Sequence, residues 1–163
     1  MSLVASVLRG ALAGAIATAA MDAVWYRRYR ADGGDKDVVN WEFTSEASDF
    51  GDDAPAPARV GKLVADAVGL QLPPSAVGAT NNVVHWSTGI GWGKLAGLVA
   101  GAARAPAFGV GIATGIAAWS TSYAVLSRLG IYRPITEYDR ETLWKDFTAH
   151  LVFGTTLGAV LTV

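Results

Sequence analysis

The sequence predicts an all-α, polytopic membrane protein. Four transmembrane helices pack through small residues, and a long connection between the first two carries a short amphipathic helix. Three observations predict this. Four apolar stretches approach the roughly 20 residues that a ~30 Å hydrocarbon core demands of a helix. Each carries small residues at four-residue spacing, the small-xxx-small (GxxxG) pattern that lets helix backbones approach where water supplies no drive for association. Of 163 residues, 19 are glycine, 52% are hydrophobic and 17% are charged. Glycines in rows suit a bilayer, since each costs a water-exposed helix about 1 kcal/mol relative to alanine. The length suits one transmembrane domain, 1–163.

The first helix is predicted over about 3–26, with the row Gly10, Gly14, Thr18 and Asp22 on one face and Ala11, Ala15 and Ala19 beside it. Arg9, two turns in, is expected to snorkel to the N-terminal face. Ala17 and Ala19 imitate a signal cleavage site, but Arg9 interrupts the apolar run and no basic residue precedes it, so a retained helix is expected. The connection 27–82 opens on Arg27, Arg28 and Arg30 and continues through an acidic, turn-rich run from Asp32 to Asp53. After Pro55 and Pro57, the residues Val60, Leu63, Val64, Ala67 and Val68 recur at helical spacing and are closed by Gly69. That pattern predicts a surface helix of one to three turns across the bundle mouth or in the interface. Trp41, Phe43 and Phe50 are large apolar residues in a polar stretch and are expected to dock, pinning the loop or forming a lid.

The second helix, about 83–103, carries the row His85, Gly89, Gly93, Gly97 and Gly101. Lys94 points away from that row, on a face with Trp86, Ile90 and Leu98, and needs a carboxylate or an interface; Asp22 is the expected partner. A short turn around Arg104, Ala105 and Pro106 leads to the third helix, about 106–126, which has no charge and carries Gly111, Gly115, Trp119 and Tyr123. After 127–143, the fourth helix, about 144–163, carries Asp146, His150, Gly154, Gly158 and Thr162.

Odd and even helices run oppositely, so Asp22, His85, Tyr123, Asp146 and His150 fall at one membrane face, and Lys94 completes a polar intramembrane set. Asp146 and His150, four apart on one helix, can touch. Three readings of the cluster stand side by side: a hydrogen-bonded packing network, a proton or ion pathway, and a bound metal or haem. Trp25, Tyr26, Trp86, Tyr123 and Trp144 fall near the same face, as an interfacial belt would. Lys and Arg crowd the two long connections, which places that face in the cytoplasm.

The exclusions are equally concrete. Without cysteine there are no disulfides, thiolate metal sites or cysteine nucleophiles. No GxSxG, P-loop, dinucleotide fingerprint or HExxH occurs, so no enzyme, cofactor or metal is expected. A net charge of −1 without a basic aromatic stripe gives no reason to expect nucleic acid. The expected partners are the lipid bilayer and either a second copy of the chain or another membrane subunit.

The run Asn81-Asn82-Val83-Val84-His85-Trp86 with Gly89, Gly93 and Gly97, the segment Leu129-Gly130-Ile131-Tyr132-Arg133-Pro134 through Tyr138-Asp139, and Asp146, Thr148, His150-Leu151-Val152 and Gly154 resemble the YagU-like family of small bacterial inner-membrane proteins. The resemblance is carried mainly by 81–163; Lys94 and the acidic connection depart from it. It implies a multi-pass inner-membrane location, no established biochemical activity and an association with acid tolerance. The function expected from the sequence is therefore a helix-packing membrane protein, a homo-oligomer or an accessory subunit. The alternative is a proton- or ion-linked channel or transporter using the Asp/His cluster.

Overall fold

The computed structural model describes residues 2–103 and 105–163. It is all-helical: α1 Leu3–Ala31, α2 Val38–Phe43, α3 Ala56–Ala67, α4 Val77–Ala103, α5 Ala107–Leu126 and α6 Arg140–Thr162, with no strand among the described residues. Single 3-10 turns at Pro74–Ala76 and Ile135–Glu137 lead towards α4 and α6. The expected turn at Arg104 lies outside the described residues.

Each helix starts and stops for a local reason. Ser2 caps α1, its hydroxyl accepting the Ala5 N–H at 3.2 Å, and Arg28 and Arg30 in the last turn offset the negative end of the helix dipole. Asp37 caps α2 and Asp139 caps α6 through side-chain acceptance of backbone N–H groups. Proline begins α3, which ends in a Schellman arrangement: Leu70 N–H reaches Ala65 O at 2.8 Å and Gly69 N–H reaches Asp66 O at 3.0 Å. That closure needs the positive φ of 76° that Gly69 supplies. Three long helices exceed their expected bounds: α1 runs on to Ala31, α4 starts at Val77 and α6 at Arg140. Hydropathy marks the apolar stretch, whereas a helix continues into polar sequence until a cap or proline stops it.

Packing follows the small residues. α1 lies along α4 and α6, and α5 lies along α6, while α4 and α5 meet only slightly, giving the spatial order α4, α1, α6, α5. On the α1–α4 seam a Cβ on Gly14 would fall 2.7 Å from Gly89 O, and one on Gly97 would fall 2.8 Å from Gly10 Cα. On the α5–α6 seam a Cβ on Gly154 would fall 2.7 Å from Gly111 O, and one on Gly158 the same distance from Phe108 O. Gly93, Gly101 and Gly115 are equally closed in. The α1–α6 contact is made instead by side chains, with Ala13, Ala17, Ala149, Phe153 and Leu157 in one buried cluster. Two arginines tie its ends. Arg9 donates to Leu161 O at 2.8 Å, satisfying a C-terminal carbonyl of α6 rather than only snorkelling, and Arg28 donates to Lys145 O at 2.6 Å and Thr148 Oγ1 at 2.8 Å.

α3 is the expected surface helix and packs by its small face. It is 12 residues long and packs on α4 with Ala58 and Ala65 buried and Gly61 facing Thr80, while Leu63, Val64 and Val68 are exposed. Close approach to α4 selects the small face, and the large apolar face is left outward. A second small core joins Ala54, Ala58 and Val77 with Phe50, and Trp41 lies against Tyr26 and Tyr29. Phe43, expected to dock, is exposed. Arg59 donates to Gly130 O and Ile131 O, both at 3.0 Å, so the two long connections meet at one end of the bundle. By length and apolar character α1 and α5 could each cross a membrane; α4 and α6 have the length but a more polar sequence.

Candidate functional site: a cavity lined by two Asp–His pairs

At the loop-bearing end a cavity of about 800 Å³ opens between α1, α4, α5 and α6, with α2 and the loop after it forming part of its wall. Asp22 comes from α1, His85 from α4, and Asp146 and His150 from α6; all four line it. The wall of α5 is the mixed face of Ala118, Thr121, Ser122 and Val125.

Each imidazole is held by one carboxylate. His85 Nε2 lies 2.8 Å from Asp22 Oδ1, a pair that joins α1 to α4. His150 Nδ1 lies 3.3 Å from Asp146 Oδ1 and 3.0 Å from Asp146 O, one turn back on its own helix. An ionised carboxylate only accepts, so these ring nitrogens donate, leaving His85 Nδ1 and His150 Nε2 without protein partners among the described residues. Such an arrangement takes a proton at the far nitrogen and balances the resulting imidazolium with the adjacent carboxylate. Asp22 is 8% exposed, and its Oδ2 is buried without a hydrogen-bond partner among the described residues.

Neither Lys94 nor Tyr123, the other members of the predicted set, lines the cavity. Lys94 is on the exposed side of α4 and does not pair with Asp22. It follows His85 by nine residues, about two and a half helical turns, and so emerges opposite the imidazole. Tyr123 is buried behind the cavity wall among Trp119, Tyr132 and Tyr138, and its phenol hydrogen-bonds the Asp146 carboxylate, so it joins the cluster from behind. Tyr132, from the α5–α6 connection, does line the cavity. Burial pushes its phenol up, and the charges of Asp146 and Tyr138 add to the shift, so it stays a neutral hydrogen-bonding group. Among the described residues no three of His, Asp and Glu converge as metal ligands would.

Sequence reasoning missed Glu42. Its carboxylate accepts from Trp86 Nε1 at 2.7 Å and Asn82 Nδ2 at 2.9 Å, fastening α2 to the start of α4 beside the cavity. The available signal was Asp37 three residues before Asn40, an N-cap that turns an acidic loop into a helical turn presenting Trp41 and Glu42 together. Its carboxyl is held below the usual carboxylate range chiefly by the Asn40 backbone N–H.

The chain matches no protein-family profile, no curated protein and no solved structure.

Proposed function

We propose that the protein is a four-helix integral membrane protein of the bacterial inner membrane that works as a proton-linked carrier or channel, with its loop-bearing face in the cytoplasm. The observation that carries this reading is that two carboxylate–imidazole pairs, contributed by three different helices, line one cavity. Each proton taken up at a free imidazole nitrogen removes one negative charge from the wall, so proton binding and cavity electrostatics are linked.

The outer surface supports the membrane setting. Val4, Leu8, Leu12 and Ile16 form a four-residue stripe on α1 that is 67, 65, 61 and 43% exposed. Only 33% of the most apolar part of α1, and 22% of that of α5, is buried within the fold, whereas a core helix of a water-soluble bundle is mostly buried. The bundle thus turns its glycine seams and polar cavity inward and much apolar surface outward, with the charge of Lys94 as an exposed exception on α4. The resemblance to the YagU-like family points to the same setting, and its association with acid tolerance suits a cavity that exchanges protons.

Helix packing with a second copy or another subunit would use spare small-residue surface. The ten glycines of the four rows face helices of the same chain, and among the described helical glycines only Gly91 and Gly109 look onto open space, which leaves Ala11, Ala15 and Ala19 on α1 as the surface for it. The cavity gives the carrier reading a site, and it stands ahead of the subunit reading on that ground. Reconstitution into vesicles with an entrapped pH-sensitive dye tests it. Proton movement under a pH gradient should exceed that of empty vesicles and fall to background in His85→Ala/His150→Ala; movement unchanged by that double substitution rejects it.

A further inference from the structure

We infer that the cargo of this cavity is a monovalent organic cation, a protonated amine on an apolar body. The inference rests on the carrier reading and names its substrate class.

Charge comes first. Asp22, Glu42, Glu46, Asp53 and Asp146 line the cavity, and Lys36 is the sole Lys or Arg among the lining residues. Lys36 is already matched by Glu46 at 3.6 Å. With neutral imidazoles the wall has a surplus of carboxylates, which repels anions and leaves a neutral cargo with no electrostatic role.

Hydrogen bonding gives an independent indication. Asp22 Oδ2 and Asn81 Oδ1 are both buried, belong to residues of the wall, and have no partner among the described residues. Both are acceptors, so what the wall lacks is N–H donors, and a buried unsatisfied acceptor gains most from a charged donor. Asn81 precedes His85 by four residues and therefore shares its face of α4. An ammonium seated beside Asp22 would complete the half of the carboxylate that His85 leaves free.

The rest of the wall defines the body of the cargo. Trp25, Tyr29, Trp41, Trp92, Tyr132 and Phe153 supply aromatic surface, which attracts a cation through the ring quadrupole and accepts an apolar group by burial. A bare divalent ion would need converging carboxylate or imidazole ligands, and among the described residues no three converge. The volume of about 800 Å³ falls in the range of small-molecule sites.

The test uses the full chain in lipid nanodiscs, with phenethylammonium as probe and 2-phenylethanol and 3-phenylpropanoate as neutral and anionic counterparts. Binding is read by calorimetry and by the fluorescence of the wall tryptophans at neutral pH. Phenethylammonium should bind saturably, roughly tenfold or more tighter than either counterpart. Asp22→Asn should lose that margin, and Lys94→Ala, on the opposite face, should keep it. Helicity by circular dichroism checks the fold of each variant; should Asp22→Asn not fold, Asn81→Leu removes the second free acceptor and should also weaken binding. Equal binding of ammonium and alcohol, tighter binding of the carboxylate, or ammonium binding indifferent to Asp22 would overturn the inference. Asp22-dependent ammonium binding without proton movement in vesicles upholds this inference and removes the carrier reading. Proton movement dependent on His85 and His150 without ammonium binding does the reverse.

Discussion

Asp22, His85, Asp146 and His150 were legible as single residues, because four-residue spacing and alternating helix direction place them at one end of the bundle. The i, i+4 contact of Asp146 with His150 was legible too, but the partner of Asp22 was not. Nothing in a one-dimensional pattern says which face of α4 meets α1, so Lys94 was the expected partner, whereas the glycine seam turns His85 to Asp22. Asp139 was not read as a cap, because the fourth helix was expected only from about 144. Its carboxylate accepts from Thr142 N–H at 2.8 Å and Thr142 Oγ1 at 2.7 Å, starting α6 at Arg140. Those bonds, the backbone one foremost, hold its carboxyl below the usual range. A depressed folded-state value means that the contribution to the start of α6 is complete above the ordinary carboxylate range and disappears as pH falls through the depressed value. The protection factor of the Thr142 amide, measured by hydrogen exchange, should therefore be constant from neutral pH to that range and decline below it. Asp139→Ala should lower it at neutral pH, with the difference from the parent closing as pH falls through the depressed value; unchanged protection at neutral pH in that variant would deny the cap its role.

At the scale of elements, the seams are where sequence and structure agree most closely. The same glycines that recur every fourth residue are those on which a side chain has no room, because only a missing Cβ lets two backbones come so near. Gly93→Leu should thus lower stability by about 1–3 kcal/mol or more. Gly91→Leu, two residues away with nothing within 4 Å of its Cβ position, should stay within ~0.5 kcal/mol of the parent. Thermal unfolding of both in one detergent decides it, and equal losses would mean that the seam is not what holds α1 to α4. The amphipathic helix α3 was legible in place and approximate length, but which of its faces packs on α4 was not. Its large residues form the more obvious pattern, yet Ala58, Gly61 and Ala65 make the contact, because close approach to α4 admits only small side chains.

For the whole molecule, the sequence foresaw that the two long connections share an end, which the Arg59 contacts to Gly130 and Ile131 display. It could not foresee that α4 and α5, consecutive in the chain and separated by only three residues, would scarcely pack on each other. Short linkage suggests antiparallel neighbours, but each helix has its own glycine partner elsewhere, and those closer contacts take precedence. The absence of cysteine makes the proposed membrane arrangement directly testable. Single cysteines at Asp35 and Glu137 should react with a membrane-impermeant maleimide from the cytoplasmic side of sealed vesicles. Cysteines at Leu12 and Leu95 should react from neither side. Rapid labelling of Leu12→Cys in intact membranes would be incompatible with a bilayer-embedded bundle.

The two kinds of seam differ in stiffness. Where α1 meets α4 and α5 meets α6, glycines bring backbone close to backbone, leaving little room for side-chain adjustment. The α1–α6 contact between those pairs is built from side chains and tied at its two ends by Arg9 and Arg28. Phe153 belongs both to that packed contact and to the cavity wall, so a change in its size reshapes the cavity and loosens the α1–α6 packing together.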